Sequence, residues 1–163
     1  MSNLINKITV VPPSIELLFN NEKLDLMKVL CLMYAFKLKS KKRRKVSEIM
    51  FYYSLVNFDL IKLFEDSEEH KMGIIPSPNL YFRFQTKINQ ILLNMSHLKF
   101  INLQGDLTKK LGDITVQLNS EGAAAFEEVD SVFFSNLKVE YTKAFEKVKF
   151  SAGNMQIIRG VRK

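Results

Sequence analysis

Between residues 24 and 38 the apolar positions Leu26, Val29, Leu30, Met33 and Phe36 recur at three- and four-residue spacing, with Asp25 and Lys28 off the stripe. That period predicts a helix from Leu24 to Leu38. Upstream, the β-rich run Ile8-Thr9-Val10-Val11 closes at Pro12-Pro13, and paired prolines hold the backbone extended, so residues 1–13 read as an arm. Ser14 is placed to cap a short helix through Phe19, and Asn20-Asn21 supplies a turn before the main helix. Ser47 is placed to cap the next helix, with Glu48 in its first turn, and the pattern carries it to Phe64. Its apolar set, from Ile49, Met50, Phe51, Tyr52 and Tyr53 through Leu55, Val56 and Phe58 to Leu60, Ile61, Leu63 and Phe64, covers most of its circumference. A helix apolar nearly all round is buried on several sides, inside its own fold or against a partner. For so small a chain the expectation is a partner, with Phe51, Tyr52, Leu55 and Phe58 as candidate partner-binding residues.

Glu65-Asp66-Ser67-Glu68-Glu69-His70-Lys71 reads as a polar linker, and with Pro76 and Pro78 it makes residues 65–79 the longest predicted loop. From Tyr81 to Leu98 the positions Phe84, Ile88, Ile91, Leu92, Met95 and Leu98 return to helical spacing, leaving Arg83, Lys87, Gln90 and Asn94 on the other side. The period then drops to two: Lys99–Gln104 and Asp113–Leu118 alternate like strands around Gly105 to Gly112, with Lys109-Lys110 near the tip. That predicts a hairpin with a basic wing. Asn119 or Ser120 can cap a last helical segment carrying Phe126, Val129, Val132, Phe133, Leu137, Tyr141, Ala144, Phe145 and Val148, as one long helix or two. The tail from Ser151, with Gly153, Gly160 and the cluster Arg159, Arg162 and Lys163, reads as loose or ordered only by a partner.

At 163 residues the chain suits one core-bearing domain, and 47% hydrophobic with 25% charged residues is a globular balance. The longest apolar run, Val29 to Phe36, covers about two helical turns, where a membrane span needs about twenty residues. No membrane partner is expected. The start, Met1 to Lys7, lacks the basic-then-apolar plan of a secretory signal, and a cytoplasmic location is expected. Cys31 is the only cysteine. An intrachain disulfide and a Cys-rich zinc site are therefore excluded, and its place in the apolar run predicts a buried thiol. The net charge of +7 and a pI near 9.4 point to an acidic partner, of which nucleic acid is the commonest.

Acid–base catalysis needs titratable groups that converge. His70 sits in an acidic loop, His97 near a helix end, and neither has an evident companion. No nucleophile elbow, phosphate-cradling glycine loop or His-x-x-x-His pair occurs. Glu65, Asp66, Glu68 and Glu69 read as a solvated acidic loop rather than a cation site. No catalytic residue, metal or cofactor is expected. The run Lys39-Ser40-Lys41-Lys42-Arg43-Arg44-Lys45 is the strongest local signal, because clustered cations gain affinity for nucleic acid by releasing phosphate counterions. It reads equally as a solvated loop or helix end, or as a contact for an acidic protein surface. The candidate DNA-binding set is Lys39, Lys41, Lys42, Arg43, Arg44, Lys45, Arg83, Lys87, Lys109 and Lys110. In a helix-turn-helix arrangement Tyr81–Leu98 would enter the major groove. Gln and Asn are ordinary on any solvated helix, however, so sequence-independent binding of double-stranded DNA is the expectation.

The order helix, helix, helix, hairpin, helix over Leu24–Phe150 resembles a winged-helix domain, with Phe100-Ile101-Asn102-Leu103 and Ile114-Thr115-Val116-Gln117-Leu118 as wing strands. The expected fold is mainly α with a small β-hairpin: an N-terminal arm and short helix over 1–23, a winged-helix-like domain with a C-terminal helical extension over 24–150, and a basic tail over 151–163. The segment Val46-Ser47-Glu48-Ile49-Met50-Phe51-Tyr52-Tyr53-Ser54-Leu55-Val56-Asn57-Phe58, after a helical block and basic spacer, resembles the small, kleisin-associated-like middle component of bacterial ABC-three-component systems, of which Lamassu-type anti-phage defence is the best known. That resemblance implies a non-catalytic accessory subunit bridging an SMC-like ATPase and an effector, often a nuclease, with the catalytic groups in those partners and DNA held by the basic patches. The arm would lie along another subunit by strand addition. A free-standing winged-helix transcriptional regulator, binding operator DNA as a homodimer through its final helix, is the alternative, and an adaptor that binds only protein is a third reading.

Overall fold

A computed structural model describes residues 13–65, 78–105, 110 and 113–160, with 13–21 and 78 as backbone only. The predicted arm up to Pro12, most of the acidic linker, Lys109 at the wing tip, and Arg162 and Lys163 in the tail lie outside the described residues.

The first helix, α1, runs unbroken over Pro13–Lys39. The turn expected at Asn20-Asn21 is absent, and the expected boundary after residue 23 falls inside this helix. Asn costs a helix interior only about half a kcal/mol relative to Ala, and restarting a helix would require a second unfavourable nucleation. The basic block then crosses to the sheet instead of fraying into solvent: Arg44–Lys45 form β1, which pairs antiparallel with β3 (Thr115–Leu118). Adding β2 (Ile101–Gln104), the strand order is β1-β3-β2, so the predicted hairpin is part of a three-stranded antiparallel sheet.

Helix α2 spans Val46–Asn57, so its N-cap falls on Lys45, with no side-chain cap, rather than on the expected Ser47, and it stops short of the expected Phe64. The Phe58 N–H still reaches the Ser54 carbonyl at 3.1 Å, but Asp59 turns left-handed at φ 55°, and Leu60–Phe64 continues only as a 3₁₀ turn. Asp tolerates that conformation better than most residues because its short polar side chain bonds locally. Helix α3 covers Pro78–His97, buries Tyr81, Phe84, Ile88, Ile91, Leu92 and Met95, and leaves Leu98 beyond its end exposed. The C-terminal segment is broken into α4 (Ser120–Glu127), α5 (Val132–Lys147) and α6 (Ala152–Ile158). Each has a side-chain cap: Asn119 accepts from the Gly122 N–H, Ser131 from Phe134 and Ser151 from Asn154. α6 corrects the expectation of a loose tail, because Met155 and Ile158, three apart on one face, bury against the body.

α2 is the hub, packed by α1, α3, α5 and α6. Its encircling apolar surface is covered by the chain itself, which corrects the expected partner face. Phe51, Tyr52 and Leu55 are at most 4% exposed, and Phe58 is half-buried against the same core. Phe51 packs against Tyr52, Phe64 and Phe150, while Tyr53 stacks on Phe84 with ring centroids 3.8 Å apart. Polar bonds fix the helices in register. Asn57 Nδ2 donates to Tyr141 Oη at 2.8 Å, Tyr141 Oη donates to the Lys28 carbonyl at 3.2 Å, and Tyr53 Oη donates to Asp25 Oδ1 at 3.2 Å. Burial of Tyr141 holds its hydroxyl well above its ordinary pKa, so it stays a neutral donor. Burial likewise pushes the Cys31 thiol up to about 12, as suits a thiol inside the core.

Candidate nucleic-acid interface

The basic loop between α1 and β1 is fixed at both ends. Ser40 N–H closes the last turn of α1 on the Phe36 carbonyl at 2.9 Å, and Ser40 Oγ accepts from the Lys42 N–H at 3.2 Å. On the sheet side, Gln117 Nε2 donates to the Lys41 carbonyl at 3.2 Å and Val46 N–H to the Ile114 carbonyl at 2.9 Å. A run of like charges repels itself; here its backbone is clamped in spite of that repulsion.

Two arginines of the run do the clamping. Arg44 is 8% exposed, its guanidinium lies 4.6 Å from the Phe36 ring centroid, and its Nη1 meets Glu48 Oε2 at 3.2 Å. Phe36 also stacks on Phe145 at 4.6 Å, so this cation is tied to the α1–α5 core. The structure therefore corrects the assignment of Arg44 to DNA: its charged end is turned inward and neutralised. Arg43 lies across the outer face of the sheet, donating to Thr115 Oγ1 at 3.2 Å, Gln117 Oε1 at 3.2 Å and the Asn102 carbonyl at 3.4 Å. It remains exposed, and three bonds leave some of its five N–H donors for a ligand.

Lys39, Lys41, Lys42 and Lys45 are exposed around this clamp. Lys39 Nζ lies 5.5 Å from the Phe145 ring, which places the start of the patch over α5. Beside Lys45, strand pairing aligns Thr115 with Gln104 and Gln117 with Asn102, all on the solvent side of the sheet. Sequence reasoning treated these side chains only as strand residues. The polar positions of the β3 alternation were the available signal, and they acquire meaning only once β1 is known to pair there. Lys110 is exposed near the far end of the hairpin.

The α3 face is electrically different. Lys87 Nζ lies 3.6 Å from Asp25 Oδ2, and Glu22 lines the same α1–α3 cleft with Thr86, Gln90 and Asn94. Gln90 Nε2 bonds Asn94 Oδ1 at 3.0 Å, so part of the amide inventory expected to read bases is turned on itself. Arg83 is exposed on this helix. Two carboxylates beside Lys87 oppose phosphate approach, which separates this lysine from the loop cluster in electrostatic character.

Comparison with protein-family models, curated proteins and solved structures finds no match to this chain. Among the described residues no helix is long and apolar enough to cross a membrane, and no group of three or more His, Cys, Asp or Glu is placed to hold a metal ion.

Proposed function

We propose that this chain is a non-catalytic nucleic-acid-binding subunit that grips double-stranded DNA by its phosphates, independently of base sequence. The observation that carries the reading is the division of labour in the basic run: Arg43 and Arg44 fasten the loop to sheet and core, while Lys39, Lys41, Lys42 and Lys45 project from it. Lysines on a pre-ordered backbone replace phosphate counterions at a smaller ordering cost than lysines on a floppy segment. The element order α1, β1, α2, α3, β2, β3 supports a winged-helix arrangement. The sheet and the loop beside it, rather than α3, are the phosphate-binding face.

In this proposal the chain works as an accessory subunit between an SMC-like ATPase and an effector in a three-component defence assembly. That half rests on the resemblance in residues 46–58 and on apolar side chains exposed away from α2, including Leu38, Phe82 and Phe133. The alternative of an operator-reading homodimer is weakened by Asp25 and Glu22 beside the candidate reading helix. The deciding experiment is fluorescence anisotropy of the purified chain on two unrelated duplexes at several salt concentrations, with co-purification of the tagged chain from its native operon. Equal affinities with a steep salt dependence, and recovery with a large ATPase, are expected. Strong preference for one duplex by a lone homodimer overturns the proposal.

A further inference from the structure

The stretch Asn119–Asn136 contains Glu121, Glu127, Glu128 and Asp130 and no lysine or arginine, in a chain whose net charge is +7. The same stretch brings apolar side chains to the surface. Val132 is 78% exposed and Phe133 52%, both in the first turn of α5, and Val139, 47% exposed, follows Val132 by two turns on the same face. Ser131 supplies the cap, so helix formation places no demand for apolar residues at these positions. Next to them lies a cleft lined by Tyr34, Phe126, Glu127, Val129, Phe134 and Lys138. Its aromatic floor is ordered: Tyr34 and Phe126 meet at 4.8 Å, and Tyr34 Oη donates to Glu127 Oε1 at 3.1 Å, while Phe134 in the lining meets the exposed Phe133 edge to face at 5.0 Å. An apolar patch beside a cleft with a charged rim is the usual form of an interaction site.

We infer that the α4–α5 corner docks a protein partner presenting an amphipathic segment whose apolar side chains are flanked by lysine or arginine. Charge selects this occupant. Nucleic acid is repelled by Glu127, Glu128 and Asp130. A second copy meeting the same corner across a two-fold axis would set these three carboxylates against their own counterparts, a juxtaposition that interfaces avoid. A cationic amphipathic segment satisfies both features, with apolar groups against Val132, Phe133 and the aromatic floor and cations on Glu128 and Asp130. Lys138, whose Nζ lies 5.7 Å from the Tyr34 ring, is the one cation lining this cleft among the described residues. The inference deepens and rests on the protein-partner half of the proposed function but uses none of the phosphate-binding residues, so its failure leaves the DNA reading intact.

The test is titration of the ¹⁵N-labelled full chain with three synthetic helical peptides: a Lys/Leu amphipath, a Glu/Leu amphipath of the same pattern, and a Lys/Ser peptide without apolar groups. Amide shifts are expected to concentrate in residues 127–139 and to appear with the Lys/Leu peptide. Phe133→Ser and the double charge reversal Glu128→Lys/Asp130→Lys should each weaken binding about tenfold or more, as for truncation of a central interface residue. Val132→Ser, at the more exposed site, serves if Phe133→Ser lowers the melting temperature. Equal binding of the Glu/Leu peptide, shifts centred elsewhere, absence of binding, or a homodimer in sedimentation that Phe133→Ser dissolves would each overturn the inference.

Discussion

Replacing Lys41, Lys42 and Lys45 together by glutamine separates the lysines that meet phosphate from the arginines that hold the loop. All three are exposed, and the bonds at Lys41 and Lys42 that order the loop use backbone atoms, which glutamine retains. Stability should stay within about 0.5 kcal/mol of the parent, the usual range for surface positions. Each phosphate contact contributes about −0.9 to the slope of log affinity against log salt, so losing three flattens the slope by about 2.7. Over the fourfold interval from 50 to 200 mM salt, the parent should lose about 40-fold more affinity than the variant. Arg44→Gln is the mirror case. It removes a guanidinium stacked on Phe36 and paired with Glu48, which should cost about 1–2 kcal/mol in a urea titration, the scale of a desolvated cation–π contact, while leaving the slope unchanged. A parental salt slope in the triple variant, measured by anisotropy on a short duplex, would refute the assignment of these lysines to phosphate.

Leu55→Ala should destabilise the chain by about 2–5 kcal/mol in denaturant titration, the cost of a cavity at a fully buried leucine; an effect below about 0.5 kcal/mol would mean that α2 is not enclosed by its own fold. Gly122→Ala would place a Cβ 2.3 Å from the Phe100 carbonyl oxygen and 2.6 Å from Leu118 Cδ1, so α4 must shift off the hairpin; a loss of about 1–3 kcal/mol is expected from the shift in melting temperature. Cys31 should resist thiol reagents at pH 8 in the native chain and react once urea unfolds it, and fast native labelling would contradict its burial. Its thiol is raised from 9.0 to about 12 and Tyr52 from 10.0 to about 12. The folded chain thus holds these protons more tightly than the unfolded one, and unfolding free energy should fall as pH rises from 9 towards 12, read by urea titration at each pH.

The hairpin was legible because alternation at Phe100–Leu103 and Ile114–Leu118 is a signal local to the residues that produce it. α3 was legible for the same reason, its buried face repeating at helical spacing from Phe84 to Met95. What escaped the sequence depends on residues far apart along the chain. β1 is two residues long and has no pattern of its own; it exists because Thr115 and Val116 offer it a partner. The apolar girth of α2 implied burial on several sides, but periodicity cannot say whose atoms do the covering, and here they come from α1, α3, α5 and α6. Of the candidate site, Lys41, Lys42 and Lys45 were visible as charge. The inward turn of Arg44 and the neutralising Asp25 beside Lys87 required the packed helices to be seen.

The clamp on the basic loop also has a history in time. Arg43 precedes the Thr115 it grips by 72 residues, so during synthesis the loop emerges well before the strand that will order it. At 5–20 residues per second that interval is about 4–14 s. For those seconds the nascent chain displays its most concentrated positive charge on a segment that β3 has not yet ordered, beside the phosphates of ribosomal RNA. The shape that this surface presents to a ligand is completed only when β3 arrives, so a ribosome-bound chain halted before residue 115 carries the charge of the finished loop without its geometry.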